Sequence, residues 1–591
     1  MAKRKRQVAA AAAAGDEPKP AKKTRGAEVT SARKGKAEQT EMVPVKKTKR
    51  RQEAAERKET TPVKKTKTQP ETAERKEITL ATKTKAPQEA AERKEITPPT
   101  KTKAPQEAAA RTEPTPTSQP PTETIQIVAG SYDQVLHGIT ATIRPDTGGG
   151  DGEEEEEEER PAVEFADTFL FNAHASAIRC VAVSAASAAG PGQAQKVLLA
   201  SGSTDERINV YSLSAHPPGP RRRAAAGPRT IAENRRNREL GTLLHHSSTV
   251  TALRFPTRSK LLSASEDSTV AVARTRDWAV LSTIRAPMAK AQGRPSGDTA
   301  AQGTAPSGVN DLAVHPSLKL MISVSRGERC MRLWNLVTGR KAGVLNFSRD
   351  LLREVGEARH ATGEGRRVIW GCADGADEFA VGFDRDLVVF GMDSVPRCRV
   401  MPTPEGASAA SRTKIHQACY VAVDDAAAGP TLLAVSTEDG RVLFFSTRAA
   451  DLSDPERGEE AGKAPQQRLR LARLVAHVGG REAGVTGRVK DFAVVRGAGG
   501  ALYLVAAGSE GKVRVWRIGA GELLRAGAEK RAKAVGRLLG TYETQNRITC
   551  MAAFLMIARP DGVEDSSDEE EDDDDEDEDE DEDEDDDDDD D

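Results

Sequence analysis

Aromatic side chains are scarce in this 591-residue sequence: there are 21, every one between Tyr132 and Phe554. A chain end without aromatics buries too little apolar surface to offset roughly 1–2 kcal/mol of backbone entropy per residue, so both ends are expected to be disordered. Cysteines are few and far apart, at Cys180, Cys330, Cys372, Cys398, Cys419 and Cys550, with no CxxC among them. That spacing argues against a disulfide scaffold and a thiolate metal site, and fits a reducing compartment. No run approaches the ~20 apolar residues that span a bilayer, so no membrane association is expected. The Ala-rich stretch Val8–Ala14 is followed by Asp16, Glu17 and more lysine, which argues against a secretory signal; the acids and the few serines argue against a transit peptide.

Catalytic signatures are missing as well. There is no GxxxxGK[ST], no HExxH, no nucleophile elbow and no Gly-rich loop entering a helix. Ser509-Glu-Gly-Lys512 only grazes a phosphate loop and sits inside a hairpin pattern. The nine His lack metal-ligand spacing, and the adjacent His245 and His246 are expected on opposite faces of a strand. The expectation is a protein that is not an enzyme and takes no cofactor.

What is present is charge, divided by sign. Residues 1–123 carry 30 Lys/Arg and 17 Asp/Glu, a net of +13, while Asp568–Asp591 is 24 consecutive acids. The overall −5 averages two opposite tails. In the first tail Ala-Glu-Arg-Lys-Glu recurs at Ala55, Ala73 and Ala91 with an 18-residue period, interleaved with Lys/Thr clusters and prolines that break any helix. Lys3, Arg4, Lys5 and Arg6, with Lys22 and Lys23, form spaced basic clusters of the nuclear-import kind, and the other bases suit contact with nucleic-acid phosphates. At the other end, Ser566 and Ser567 precede acids and fit an acidophilic kinase. Composition thus divides the chain into a basic tail at 1–123, a folded region at 124–560 and an acidic tail at 561–591.

The middle repeats a β-hairpin pattern of small residues, an acidic turn and alternating apolar residues that end on a large one. Copies lie at Ser201–Tyr211, Ser263–Ala273, Ser323–Trp334, Val435–Phe445 and Ala506–Trp516, with a weaker one ending at Phe390. Val513 and Val515 alternate with Lys512 and Arg514, which predicts one buried and one wet face per hairpin. Flanking apolar pieces bring each unit to about four strands, and no long 3.6-residue period separates the units. This predicts an all-β array. The turn acids Asp205, Asp439 and Glu510 stand six residues before Tyr211, Phe445 and Trp516, the spacing of WD repeats. In that arrangement the turn carboxylate accepts from an upstream His that a Ser and the strand-end aromatic help to hold. The expected sets are His174, Ser203, Asp205 and Tyr211; His246, Ser265 and Asp267; and His477, Glu510 and Trp516, with Gly508 in place of the Ser. Trp334 closes a further unit. A Ser-His-Asp constellation that repeats is expected of architecture, not of a single active site.

Seven units are counted. The first hairpin, Ile125–Ala129 with Val135–Ile143, lacks its inner strand, which Arg547–Phe554 would supply. The prediction is a seven-bladed WD-repeat β-propeller closed by pairing of N- and C-terminal strands. Seven units of ~43 residues need only ~300, so acidic Glu153–Glu159, Pro217–Arg229, Pro287–Gly308, Arg353–Arg367 and Asp451–Gln467 are expected as loop insertions.

The wording of several segments is more specific than the repeat. Val128–Thr140 (VAGSYDQVLHGIT), Ser201–Leu213, Leu244–Phe255, Ala313–Ser325, Met331–Arg340, Gly487–Phe492 and Asn546–Met551 stand in the order found in the p21-activated protein kinase-interacting protein family. This stretch resembles that family of nucleolar WD-repeat proteins, which includes the yeast maintenance-of-killer ribosome-assembly factor. The resemblance implies a non-catalytic scaffold in large (60S) ribosomal subunit biogenesis. It also implies residence in the nucleolus and partners among pre-60S ribosomal proteins and assembly factors, with the chain a monomer within a larger particle. Contact with rRNA through the basic tail is a further expectation. Two alternatives stand beside it: a negative regulator docked on a p21-activated protein kinase, and a histone or chromatin chaperone using the acidic tail. The basic N-terminus, the polyacidic C-terminus and the expanded loops depart from the family pattern.

Overall fold

The computed structural model describes residues 122–144, 162–190, 193–218, 231–288, 307–357, 362–402, 412–424, 429–454, 468–497, 499–529 and 531–559. The basic clusters Lys3–Arg6 and Lys22–Lys23, the 18-residue repeats, Ser566, Ser567 and the polyacidic run lie outside the described residues.

Seven antiparallel sheets form the blades of a propeller. Blades 1 to 6 begin at the innermost strands Ile178–Val183, Val250–Thr257, Val309–Val314, Arg367–Ala373, Ile415–Ala422 and Val489–Arg496. Blade 7 takes its innermost strand, Ile548–Leu555, from the far end of the folded region and its other three, Glu123–Ser131, Val135–Ile143 and Val163–Asn172, from the beginning. Ile127 pairs with Ala553 and Val128 with Ala552 across this seam. Two further bonds extend it, Tyr132 N–H to Arg547 O and Met556 N–H to Thr124 O, both 2.8 Å. The closure leaves no inner strand edge unpaired at the point where the chain begins and ends the ring.

The expectation of one wet face per hairpin fails. Ile208–Ser214 is buried at every residue, and Asn209 and Arg514, on the polar side of the alternation, are each only 6% exposed. A propeller blade is packed on both faces by its neighbours, so its two middle strands have almost no solvent side. Ile125, Ile127 and Ile139 of blade 7 pack on Val505, Val513 and Val515 of blade 6, for example. Exposure moves to the outermost strands, such as Arg238–Leu243 and Val280–Arg285. Polar residues retained inside must then find partners, because an unpaired buried group costs about 1–3 kcal/mol.

Two helices were not foreseen. Arg349–Glu354, capped by the Ser348 hydroxyl on Leu351 N–H at 3.1 Å, buries Leu351 and Leu352 and ends inside the expected loop insertion Arg353–Arg367. Ala520–Ala528 buries Leu523 and Ala526. Short fifth strands also appear: Arg470–Leu471 runs parallel to Pro396–Val400 in blade 4, and Lys533–Ala534 parallel to Arg473–Gly479 in blade 5. At the hairpin turns of blades 1, 2, 5 and 6 the residue after the acid takes positive φ. Gly511 (φ 85°) has to be glycine for a second reason, since a Cβ there would meet Asn546 O at 2.7 Å.

Candidate functional site

The hairpin turns of blades 1 and 2 receive a histidine from the loop that enters the blade. His174 Nδ1 lies 3.1 Å from Asp205 Oδ2, and His246 Nδ1 lies 3.0 Å from Asp267 Oδ2. Each carboxylate also accepts backbone N–H groups. Ala175 and Arg207 donate to Asp205 at 3.0 and 3.1 Å, and Ser247 and Thr269 donate to Asp267 at 3.1 and 2.8 Å. Burial opposes ionisation of Asp205, yet His174 and these amides outweigh it and hold the carboxyl below its usual range; Asp267 is held low in the same way. Burial dominates at the base, so the His174 pKa is lowered.

The serine partner differs from the expected one in both blades. His174 Nε2 meets Ser201 Oγ at 2.9 Å and His246 Nε2 meets Ser263 Oγ at 2.8 Å. Ser203 instead donates to the carbonyls of Ser176 and Ala177, and Ser265 to that of Ser248. Serines two apart on a strand share a face, and only sheet register separates them: Ser201 pairs with Asn209 and Ser263 with Ala271, mid-strand, while Ser203 and Ser265 sit at the turn. Tyr211 closes blade 1, its hydroxyl bonded to Ser201 and Asn209. Nor do His245 and His246 diverge. They lie in a loop, their ring centroids 4.4 Å apart, and His245 Nε2 also reaches Ser263 Oγ, at 2.9 Å. Burial and the His246 ring push His245 down to about 4.

Blades 3 and 6 fill the turn differently. Arg332 pairs with Glu328 and Arg514 with Glu510, each arginine four residues beyond its acid in the same hairpin. Trp334 Nε1 donates to Ser323 Oγ at 2.8 Å, and Ser323 pairs with Arg332 in register; the same register position in blade 6 is Ala506, not Gly508. His477 is not in the loop entering blade 6. It lies in the outer strand Arg473–Gly479, paired with Leu443, and the loop position four residues before Val489 carries buried Val485. The loop Gly480–Arg488 is longer than those entering blades 1 and 2, so counting back from the turn passes the loop and lands on the strand. Trp516 is buried, 4% exposed. Asp439 of blade 5 holds Thr437 and Arg441, with Arg441 Nε at 3.0 Å.

Other buried polar sets gave no repeat signal. Asp167 joins His137 Nε2 at 2.7 Å to the Tyr542 hydroxyl at 2.6 Å, which ties blade 7 to blade 6. Glu378, fully buried in blade 4, accepts from Tyr420, Thr447 and Arg397. Asp386, also fully buried, accepts from Arg399 and Arg412, but its Oδ1 has no partner among the described residues, and burial pushes its carboxyl up to about 7. Asp311 and Asp491, near the start of innermost strands, each accept the next N–H of their own strand and one from the next blade, Val368 at 3.2 Å and Met551 at 2.9 Å. A signal for these was available: both stand two residues after the valine that opens an innermost strand.

Chemically, the Ser-His-Asp sets hold loops to hairpins. Ser201 is 0% and Ser263 1% exposed, so no substrate carbonyl reaches either hydroxyl. Among the described residues no group of three or more His, Cys, Asp or Glu could hold a metal ion, and no helix is long and apolar enough to cross a membrane. The open space lies on the propeller axis, a cavity of about 300 Å³ lined by innermost strands.

Comparison with known proteins agrees with this architecture. A family model for the WD domain, G-beta repeat, matches residues 237–272, from the outermost strand of blade 1 into the third strand of blade 2. The chain is 27% identical over 369 residues to Protein MAK11 of Saccharomyces cerevisiae, covering 60% of this chain and 70% of the yeast protein. It is 27% identical over 273 residues to the p21-activated protein kinase-interacting protein 1-like of Danio rerio, 46% of this chain and 51% of the fish protein. The Xenopus laevis protein of that name is 22% identical over 442 residues, 75% of this chain and 84% of the frog protein.

Proposed function

We propose that this chain, a WD-repeat protein of the family that includes these relatives, is a non-catalytic assembly factor in large ribosomal subunit biogenesis that holds pre-ribosomal proteins on the faces of its propeller. The observation that carries the reading is the yeast similarity over 369 residues, most of the folded region, instead of one repeat. The architecture supports it: the described polar sets brace loops and hairpins, leaving rigid faces as docking surface. Nuclear entry through Lys3–Arg6 belongs to the same proposal, with Lys22 and Lys23 as a second cluster.

Affinity purification of the tagged full chain, at low and at high salt, tests this. Ribosomal proteins and pre-rRNA retained through high salt support assembly. A p21-activated protein kinase recovered in their place would favour the reading suggested by the names of the vertebrate relatives, and histones would favour a chaperone role for the acidic run. Replacing Lys3–Arg6 with alanine should move the protein out of the nucleus; unchanged localisation removes the import assignment.

A further inference from the structure

Around the channel mouth, the second residue of six innermost strands and Arg366, just before the innermost strand of blade 4, form a ring of seven equivalent positions. In five blades a register shift between the first residue and those that follow it places this residue at a bulge, and the Gly130/Ser131 shift does the same opposite Thr549. Three of the seven positions tie blades together. Thr251 Oγ1 donates to Val309 O at 2.6 Å, Asn310 Nδ2 to Gly365 O at 2.9 Å and Thr549 Oγ1 to Ile178 O at 2.6 Å. Blade 4 has Arg366, paired with Asp384 at 3.1 Å.

The remaining three are Arg179, His416 and Lys490, in blades 1, 5 and 6. Among the described residues the Arg179 guanidinium and the Lys490 ammonium have no acceptor, and His416 Nε2 is buried without a partner. A small neutral residue makes the inter-blade bond elsewhere in the ring, so architecture does not call for these bases. Arg488 and Arg547, two residues upstream on their strands' approach, add charge. The group is close enough for its members to repel: after burial, Arg488, Arg547 and Arg179 lower the Lys490 pKa, and Lys490 and Arg488 help push His416 down to about 4. The facing carboxylates leave Arg179 and Lys490 without an ion pair among the described residues. Glu438 reaches Arg488 at 3.7 Å, Asp384 serves Arg366 and Lys414, Asp311 below pairs with Arg254 at 3.3 Å and Arg367 at 3.9 Å, and Asp491 is occupied by backbone amides and Gln417. Deeper in, Arg254 and Arg367, both paired with Asp311, line the axial cavity with Arg179, which has no carboxylate partner among the described residues.

We propose that this arc of bases at the mouth of the central channel, centred on Arg179, His416 and Lys490, is a binding site for a compact polyphosphate. Cations on a concave ring, Arg179 and Lys490 with Arg488 and Arg547, match phosphate groups clustered on one small molecule, because several of them meet several donors at once, and the neutral His416 imidazole adds a ring N–H donor beside them. An extended polyanion presents its charges in a line and engages fewer. The site goes beyond the assembly role and does not depend on it.

The test uses the full chain and inositol hexakisphosphate as probe. Acylation of Lys490, read by mass spectrometry at physiological salt, should fall as the probe is added, and in Arg179→Thr the half-protecting concentration should rise about tenfold or more. Titration calorimetry on the Arg179→Thr/Lys490→Thr variant should show the same loss. These threonines copy Thr251 and Thr549, so the blades keep a residue the ring already accommodates, and an unchanged melting midpoint verifies folding. The basic N-terminal tail contributes equally to wild type and variant. Equal affinity of the two proteins overturns the proposal. So does protection of Lys490 by a 12-nucleotide single-stranded RNA or an oligo-aspartate peptide at a lower concentration than the hexakisphosphate, since the site would then serve a macromolecule.

Discussion

Blades 1 and 2 and blades 3 and 6 solve one problem in two ways. In each, an acid at the hairpin turn takes a cation or donor as partner. In blades 1 and 2 the partner is a histidine 31 or 21 residues upstream, and the carboxylate also collects amides of the entering loop. In blades 3 and 6 the partner is an arginine four residues downstream, inside the hairpin. The first arrangement fastens one segment of the ring to another; the second makes a hairpin self-sufficient. The same turn acid therefore carries long-range order in one half of the comparison and only local order in the other.

Removing the acid from blade 1 should show the largest difference. Asp205→Ala leaves His174 and the amides of Ala175 and Arg207 without their acceptor, and is expected to cost about 1–3 kcal/mol. Calorimetric melting of the variant reads this directly, and hydrogen exchange should accelerate in the loop Ala173–Ala177 as well as in the hairpin. A change confined to the hairpin would erase the distinction drawn between the two kinds of blade.

Acidity separates the pairs next, because only one of them titrates near neutrality. His245 is held down to about 4 and His174 is also lowered, so as pH falls from about 6.5 the unfolded chain takes up protons that the folded one refuses. Stability contributed by these neutral histidines is present above pH 6.5 and is lost toward pH 4. Asp386 acts in the opposite sense: its raised pKa means the folded state gains a proton first, so its burial costs stability above pH 7 and less below it. The wild-type profile sums the two. Comparing melting midpoints at pH 7 and pH 5 in His245→Asn should show a smaller drop than in wild type, whereas an identical drop would mean that His245 is not the titrating group.

The blade count, the seam at Ile548–Leu555 and the turn acids were legible because each rests on local spacing repeated along the chain. What spacing cannot encode is register. Ser201 and Ser203 lie on the same strand face and differ only in what stands opposite them, so choosing between them required the pairing with Asn209. His477 was misplaced because the loop before blade 6 is longer, and a histidine in an outer strand reads like one in a loop. The wet face assigned to Arg514 failed for a related reason: alternation reports which side chains share a face, but what packs on that face is set by the next blade. Arg179, His416 and Lys490 gave no signal, since their equivalence appears only when seven strands are laid round one axis.

The smallest effect is expected where both partners of a local pair are removed. Glu510 accepts from Arg514 and, among the described residues, from no backbone amide, while Arg514 is mostly buried. Deleting Glu510 alone would strand a buried guanidinium. Deleting both, in Glu510→Ala/Arg514→Ala, leaves no orphaned charge, so the loss should be under about 1 kcal/mol. The matching pair in blade 1, His174→Ala/Asp205→Ala, still leaves the amides of Ala175 and Arg207 unsatisfied and should remain the more damaging by melting midpoint. If the two double variants melt together, the loop amides contribute nothing measurable, and the histidine sets reduce to another form of the hairpin pair.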